Sequence, residues 1–326
     1  MVPKKIRVSI GTASVLGLVK YYLKVPPTTA YLMSFTNNGC RANCSFCAQA
    51  RDYQGEKGKL SRVVWPSYEL ENVLKGFESP RANILERICF QVINYPGFEE
   101  DTIEIIKTLK NIGLPISLDT CPLDQDSLLE LRDSGVEKIS IPLDGATPEI
   151  FNMIKGKDVD GPYIWEKHLE ALDQAVSIFG IGNVGSNLII GLGETEKEAV
   201  DLISKLKEKD IDTILFAFTP VEGTRLQNYK QPDLRSYRRV QIARYLIANN
   251  ISSVNNFSFN QIEEIKGYGV ENLYEVLRDG KAFETSGCPG CNRPFYNERP
   301  SGPIYNYPRP LSNIEAKKEL DRLGVI

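Results

Sequence analysis

Residues Thr28–Arg51 read TTAYLMSFTNNGCRANCSFCAQAR. The first eight are β-branched, aromatic and apolar, which is a strand signature. Directly behind them stand Cys40, Cys44 and Cys47 in C-x3-C-x2-C spacing. On a loop that spacing lets three thiolates converge on one inorganic centre. A [4Fe–4S] cluster normally takes one protein ligand per iron, so three cysteines leave one iron open for chemistry. Zinc is the plain alternative, but its sites favour paired C-x2-C knuckles or Cys/His mixtures. No histidine lies near, for the chain has only His168.

Outward from this stretch the chain alternates strand-like and helix-like segments. A helical lead-in covers roughly Thr12–Leu23. After Thr28–Phe35 the strand candidates are Arg87–Ile93, Leu114–Asp119, Lys138–Leu143, Val184–Ile190, Thr213–Phe218, Ser253–Phe257 and Ala282–Thr285. Amphipathic stretches such as Thr102–Asn111, Trp165–Ile178 and Tyr237–Asn249 lie between them. Eight such repeats predict an α/β fold, a closed (β/α)₈ TIM-type barrel with the cysteine cluster on its C-terminal, catalytic face. An open doubly wound sheet competes, but no GxGxxG follows the first strand. The barrel is expected over residues 1–286. Residues 287–326 form an extension that begins GCPGCNRPFYNERPSGPIYNYPRP. Dense in Pro, Gly, Asn and Tyr, it should run irregularly over the catalytic face before a short helix near Asn313–Leu323.

Composition narrows the function. The 326 residues carry 39 Lys+Arg against 42 Asp+Glu, a formal net charge of −3, with 42% hydrophobic residues. A real core is feasible, and near-neutrality offers no electrostatic case for nucleic acid or an anionic membrane. A single histidine excludes two-histidine zinc sites, and any Ser-His-Asp scheme would have to use His168. No signal peptide is visible and no apolar run nears the ~18 residues of a membrane span. The expected setting is cytoplasmic, where thiols stay reduced.

Phe46 immediately before Cys47 gives C-x3-C-x-aromatic-C, which resembles the signature of the radical SAM superfamily. The resemblance implies that Cys40, Cys44 and Cys47 hold a [4Fe–4S] cluster whose open iron chelates S-adenosylmethionine. One electron from an external donor then releases a 5′-deoxyadenosyl radical. It also implies cofactor contacts from Phe46, from Gln91 and Asn94 in QVINYP, from Asp144 in IPLDGATPE, from Ile189 and Gly191 in IIGLGET, and from Phe216. With Pro220–Thr224 (PVEGT) these elements are similar to the biotin and lipoyl synthase branch. The QVINYP segment lacks the Gly-Gly-Glu of many members. Asp144 reads equally well as a helix-initiating residue.

Four cysteines remain. Cys89 could be a small buried hydrophobe, whereas Cys121, Cys288 and Cys291 fall by topology on the barrel mouth. Four thiolates would satisfy an auxiliary [4Fe–4S] cluster; a zinc knuckle or redox CxxC is the simpler reading of Cys288 and Cys291. Ser117 and Gly185 stand near where biotin synthase would carry further cysteines. The tail CxxC, the PTTAYLMSF lead-in, CAQAR and LSRVVWP (Leu60–Pro66) resemble archaeal two-component lipoyl synthases. That resemblance implies an octanoylated lipoyl carrier domain or H protein as substrate and a second radical SAM component as partner. Biotin synthase, another radical SAM enzyme, and a non-catalytic Fe–S or zinc scaffold are the alternatives. His168 and the Arg235, Arg238, Arg239, Arg244 group are expected on solvated helix faces.

Overall fold

The β-branched and aromatic runs become the strands. The structure, a computed structural model, describes residues 3–324. Eight strands form one sheet: β1 (Lys5–Val8), β2 (Thr29–Ser34), β3 (Ser67–Glu69), β4 (Arg87–Gln91), β5 (Ile116–Asp119), β6 (Val136–Ser140), β7 (Val184–Ile190) and β8 (Ile211–Ala217). Their order is β8-β7-β6-β5-β4-β2-β1-β3. From β8 to β2 every pairing is parallel, while β1 runs antiparallel to both its neighbours.

Helices cross over between the parallel strands, as parallel pairing requires. α1 (Ile10–Val15) precedes them, and α2 (Leu70–Phe77) lies in the connection from β2 to β4. Then come α3 (Phe98–Leu109), α4 (Gln125–Ser134), α5 (Pro148–Ile154), α6 (Trp165–Phe179), α7 (Glu196–Glu208) and α8 (Leu234–Ala248), with α9 (Leu273–Leu277) and α10 (Asn313–Leu323) at the end. Their starts are written in the sequence. Asp124 and Asp233 accept from first-turn amides, and Thr195 with Glu198 makes a full capping box.

The expected eight-stranded closure is corrected. Ser253–Phe257 is not a strand: Val254–Asn256 makes a 3-10 turn, in keeping with the turn preference of Asn255 and Asn256. Ala282–Thr285 is not one either. Left-handed Gly280 starts a 3-10 turn over Lys281–Phe283, and only Glu284 makes an isolated bridge, to Tyr307. The sheet is instead extended on its other side by β1 and β3, and no ladder joins β3 to β8 among the described residues. The lead-in helix is also shorter than its apolar pattern suggests, ending at Val15 with left-handed Gly17 just beyond.

The space between the sheet's ends is filled by the tail. Leu215 of β8 donates its amide to Ser286 Oγ (2.8 Å), and Arg293 donates its amide to Tyr31 Oη on β2 (2.7 Å). Higher up, Thr219 Oγ1 and Gln231 Nε2 donate to the Asn297 carbonyl. The extension therefore runs from the N-terminal end of the strands towards the C-terminal end, rather than lying over the catalytic face alone. Arg238, expected in solvent, is fully buried on α8 and clamps the tail through Glu319 (3.0 Å) and the Tyr305 carbonyl. Arg239 pairs with Glu196, and Arg244 donates to the Thr213 carbonyl.

Candidate active site

Alternation along the parallel strands decides what the interior contains. One set of side chains, including Ile88, Phe90, Ile116, Leu118, Leu188 and Leu215, is buried as apolar core. The other set, Cys89 and Gln91, Ser117 and Asp119, Gly185 and Asn187, Ile214 and Phe216, lines two interior cavities. A barrel filled by branched aliphatics is solid; thiols, amides and a carboxyl in those places leave chambers.

The upper chamber, about 240 Å³, opens at the C-terminal ends of the strands. Cys40, Cys44 and Cys47 lie together on the loop after β2 and all face it. The Ala42 amide donates to Cys40 Sγ (3.4 Å) and the Gln49 amide to Cys47 Sγ (3.3 Å). Such bonds favour sulfur carrying negative charge. Burial pushes all three thiols up, Cys47 to about 12. Left alone they stay protonated; as ligands they need a cationic group to displace the proton. Among the described residues no three His, Cys, Asp or Glu side chains converge on a point suited to one ion. Three cysteines ranged around a chamber suit a multi-iron group, one thiolate per iron, better than a lone tetrahedral zinc.

Of the other expected contacts, Phe46, Gln91, Asp144, Ile189 and Phe216 line this chamber. Asn94 and Gly191 do not: the Asn94 carbonyl accepts from the Arg41 amide (2.7 Å), and the Gly191 amide donates to Glu194 (2.6 Å). Asp144 has φ +63°, uncommon for a non-glycine residue, and is bound at 2.7 Å by the buried ammonium of Lys155. Burial pulls Lys155 down, but Asp144 and Cys44 more than offset this and hold it above its ordinary value.

Two further residues correct the expectations. His168 is 1% exposed and lines the chamber wall between Phe151 and Tyr163. Its Nδ1 lies 3.1 Å from the Ile164 carbonyl, and Nε2 has no partner. Burial, with Lys155 nearby, lowers it to about 3. Cys121 also faces this upper chamber, where burial and then Cys40 raise it to about 11. It does not join the other three cysteines.

Those three meet in a lower chamber of about 60 Å³, lined by Cys89, Cys288 and Cys291. The turn carrying Cys288 and Cys291 is not at the mouth but at the N-terminal end of the strands. Thr28 and Thr29 Oγ1 donate to the Gly290 carbonyl, and Arg87 Nε to that of Pro289. Ser117 Oγ donates to Cys288 Sγ (3.2 Å), and Tyr31 Oη lies 3.6 Å from Cys291 Sγ. Gln91, Asp119, Asn187 and Phe216 line both chambers and divide them. Asn187 Nδ2 donates to Asp119 Oδ2 (2.9 Å), yet burial still raises Asp119 to about 6.

Comparison with known proteins fits this geometry. Residues 34–206, just over half of the chain, match the pattern of the Radical SAM superfamily. Biotin synthase of Aquifex aeolicus is 27% identical over 204 residues, covering 60% of this chain and 57% of the relative. That of Persephonella marina is 26% identical over 205 residues, covering 61% and 57%. The match thus spans less than two thirds of either relative. The crystal structure of a methylornithine synthase superposes with a TM-score of 0.53 at 15% identity, over 73% of this chain and 67% of that one. This likeness concerns the fold. Among the described residues no helix is long and apolar enough to cross a membrane.

Proposed function

The chain belongs to the radical SAM superfamily, and from that membership we propose that it inserts sulfur at an unactivated alkyl carbon. Membership brings a [4Fe–4S] cluster and S-adenosylmethionine, with Cys40, Cys44 and Cys47 as the ligands. When bound, these supply a 5′-deoxyadenosyl radical able to remove hydrogen from a C–H bond. The observation that carries the finer reading is the second thiol chamber. Cys89, Cys288 and Cys291 lie directly behind the radical chamber, divided from it by Gln91, Asp119, Asn187 and Phe216.

The protein's own residues have separate tasks. Amides of Ala42 and Gln49 support thiolate charge on the tripod. Ile189, Phe216, Phe218 and Met33 give the upper chamber apolar walls that exclude water from a reactive carbon centre. Lys155 fixes the carboxylate of Asp144 at the chamber edge. The dividing residues hold the reacting carbon at the boundary between the chambers. An auxiliary Fe–S cluster on Cys89, Cys288 and Cys291 is the proposed sulfur source, with Cys121 outside that ligand set.

The relatives' name, biotin synthase, favours a biotin-synthase-type reaction, for which dethiobiotin is the substrate to test. A second reading, an octanoyl chain on a lipoyl carrier domain or H protein with a second radical SAM component as partner, is favoured by one observation. Two of the lower thiols come from the tail CxxC, while Ser117 and Gly185 occupy the strands. In either reading an external donor supplies the electron. Anaerobically reconstituted protein with S-adenosylmethionine and dithionite should yield 5′-deoxyadenosine. Mass spectrometry should then show added sulfur on dethiobiotin or on an octanoyl-lysine peptide. Absence of 5′-deoxyadenosine overturns the radical reading; cleavage with no sulfur added to either substrate overturns sulfur insertion.

A further inference from the structure

The two chambers face opposite ends of the barrel. The upper one opens where the strands end. The lower one is lined by Asn183 and Asp212, which stand where β7 and β8 begin, and by Lys138 of β6. Asp212 is exposed there, as are Gly182 beside Asn183 and both neighbours of Cys288, Gly287 and Pro289. Between the chambers the way is obstructed. Asp119 and Asn187 are hydrogen-bonded across it (2.9 Å), and the Arg293 guanidinium lies 4.1 Å over the Phe216 ring. S-adenosylmethionine in the upper chamber would block that route further.

We propose that iron and sulfide reach Cys288, Cys291 and Cys89 through the N-terminal end of the barrel, not through the mouth that admits S-adenosylmethionine. The proposal rests on the reading of the lower chamber as the sulfur source. Its chemistry suits small inorganic ions. Lys138 lines the chamber. Arg87, paired with Glu137 (2.7 Å), donates to Ser117 Oγ (3.1 Å), which in turn donates to Cys288 Sγ (3.2 Å). Hydrogen-bond donors and a lysine thus face an entering hydrosulfide. Each thiol that binds iron exchanges its proton for an Fe–S bond, and the proton leaves to solvent at the same opening. The arrangement separates resupply from catalysis: the lower site can be refilled while the upper chamber stays occupied.

The test uses full-length protein with Cys40, Cys44 and Cys47 all replaced by Ala, so that bound iron reports the lower site. It is supplied anaerobically with ferrous and ferric iron and sodium sulfide, and iron per chain is followed after rapid desalting. Asp212→Trp and Asn183→Trp, each crowding the N-terminal opening, should slow loading at least tenfold; Leu60→Trp at the mouth should leave the rate unchanged. Loading at the unplugged rate in both Asp212→Trp and Asn183→Trp, or slowing by Leu60→Trp alone, overturns the proposal. A second readout needs no metal. In the metal-free chain, iodoacetamide should alkylate Cys288 faster than Cys89 or Cys121, and Leu60→Trp at the mouth should slow Cys121 without slowing Cys288. Slowing of Cys288 together with Cys121 overturns the proposal as well. If the triple variant takes up no iron at all, the sulfur-source reading fails instead, while the alkylation pattern still decides access.

Discussion

Replacing Lys155 by Met removes the one cation bonded to Asp144 among the described residues, and the loss can be worked from the geometry. The two side chains are 5% and 10% exposed and 2.7 Å apart. In a partly shielded interior such a pair attracts by roughly 6 kcal/mol, and deleting one partner typically costs about 3–5 kcal/mol. Lys155→Met should therefore destabilise the metal-free chain by about 3–5 kcal/mol, because it leaves a buried carboxylate unpaired. Urea unfolding followed by circular dichroism measures this. Adding Asp144→Asn should recover most of the loss, because two neutral groups of similar shape need no partner charge. A penalty below about 1 kcal/mol, or a double variant no more stable than Lys155→Met alone, would refute a buried ion pair at the chamber edge.

Three other outcomes follow from named groups. Asp119, raised to about 6 by burial, prefers its proton when folded. Its favourable contribution is present in acid and is lost as pH rises through 6, so Asp119→Asn should stabilise the chain by about 3 kcal/mol at pH 8 and by little at pH 4, read from urea midpoints. His168, lowered to about 3, acts in the opposite sense. It contributes fully above about 6.5 and loses that contribution as pH falls towards 3, so His168→Phe should flatten the acid limb of the stability curve by several kcal/mol. Arg238→Leu should free the tail. Glu319 keeps Arg322 (3.0 Å) but loses its buried partner, and the Ile304 and Tyr305 carbonyls lose a donor. The cost should be about 2–4 kcal/mol, and limited proteolysis should then cut first between residues 286 and 312.

What the sequence discloses depends on the range over which each feature is decided. The Cys40, Cys44, Cys47 tripod is local, and so are the strand runs and the caps at Asp124, Thr195 and Asp233. All are legible in windows of a few residues. Closure is not, because whether the last segments pair as strands depends on what the far edge offers. Here that edge is taken by β1 and β3, and Asn-rich and Gly-led turns replace the expected seventh and eighth strands. The positions of Cys288 and Cys291 are set by bonds to Thr28, Thr29 and Arg87, more than 200 residues away. No spacing rule contains that information. His168 was readable: it lies on the stripe His168, Ala171, Leu172, Ala175, Phe179 that α6 buries, at the helical period. The polar alternation of Ser117, Asp119 and Cys121 likewise signalled a hollow interior rather than a filled one.

The threading of the tail has a consequence for how the molecule is made. The bond between Tyr31 and Arg293 joins residues 262 apart, and Ser286 to Arg293 supply both the missing wall and two of the three lower thiols. Contacts of such sequence separation form late, after the local strand–helix units. During synthesis the chain therefore passes through a stage in which the tripod cysteines and all parallel strands exist but the lower chamber does not. The upper cysteine tripod can be in place before the chain is finished, whereas the lower chamber must wait for Ser286 to Arg293 of the 326 residues. The order of assembly is thus written into the order of the chain.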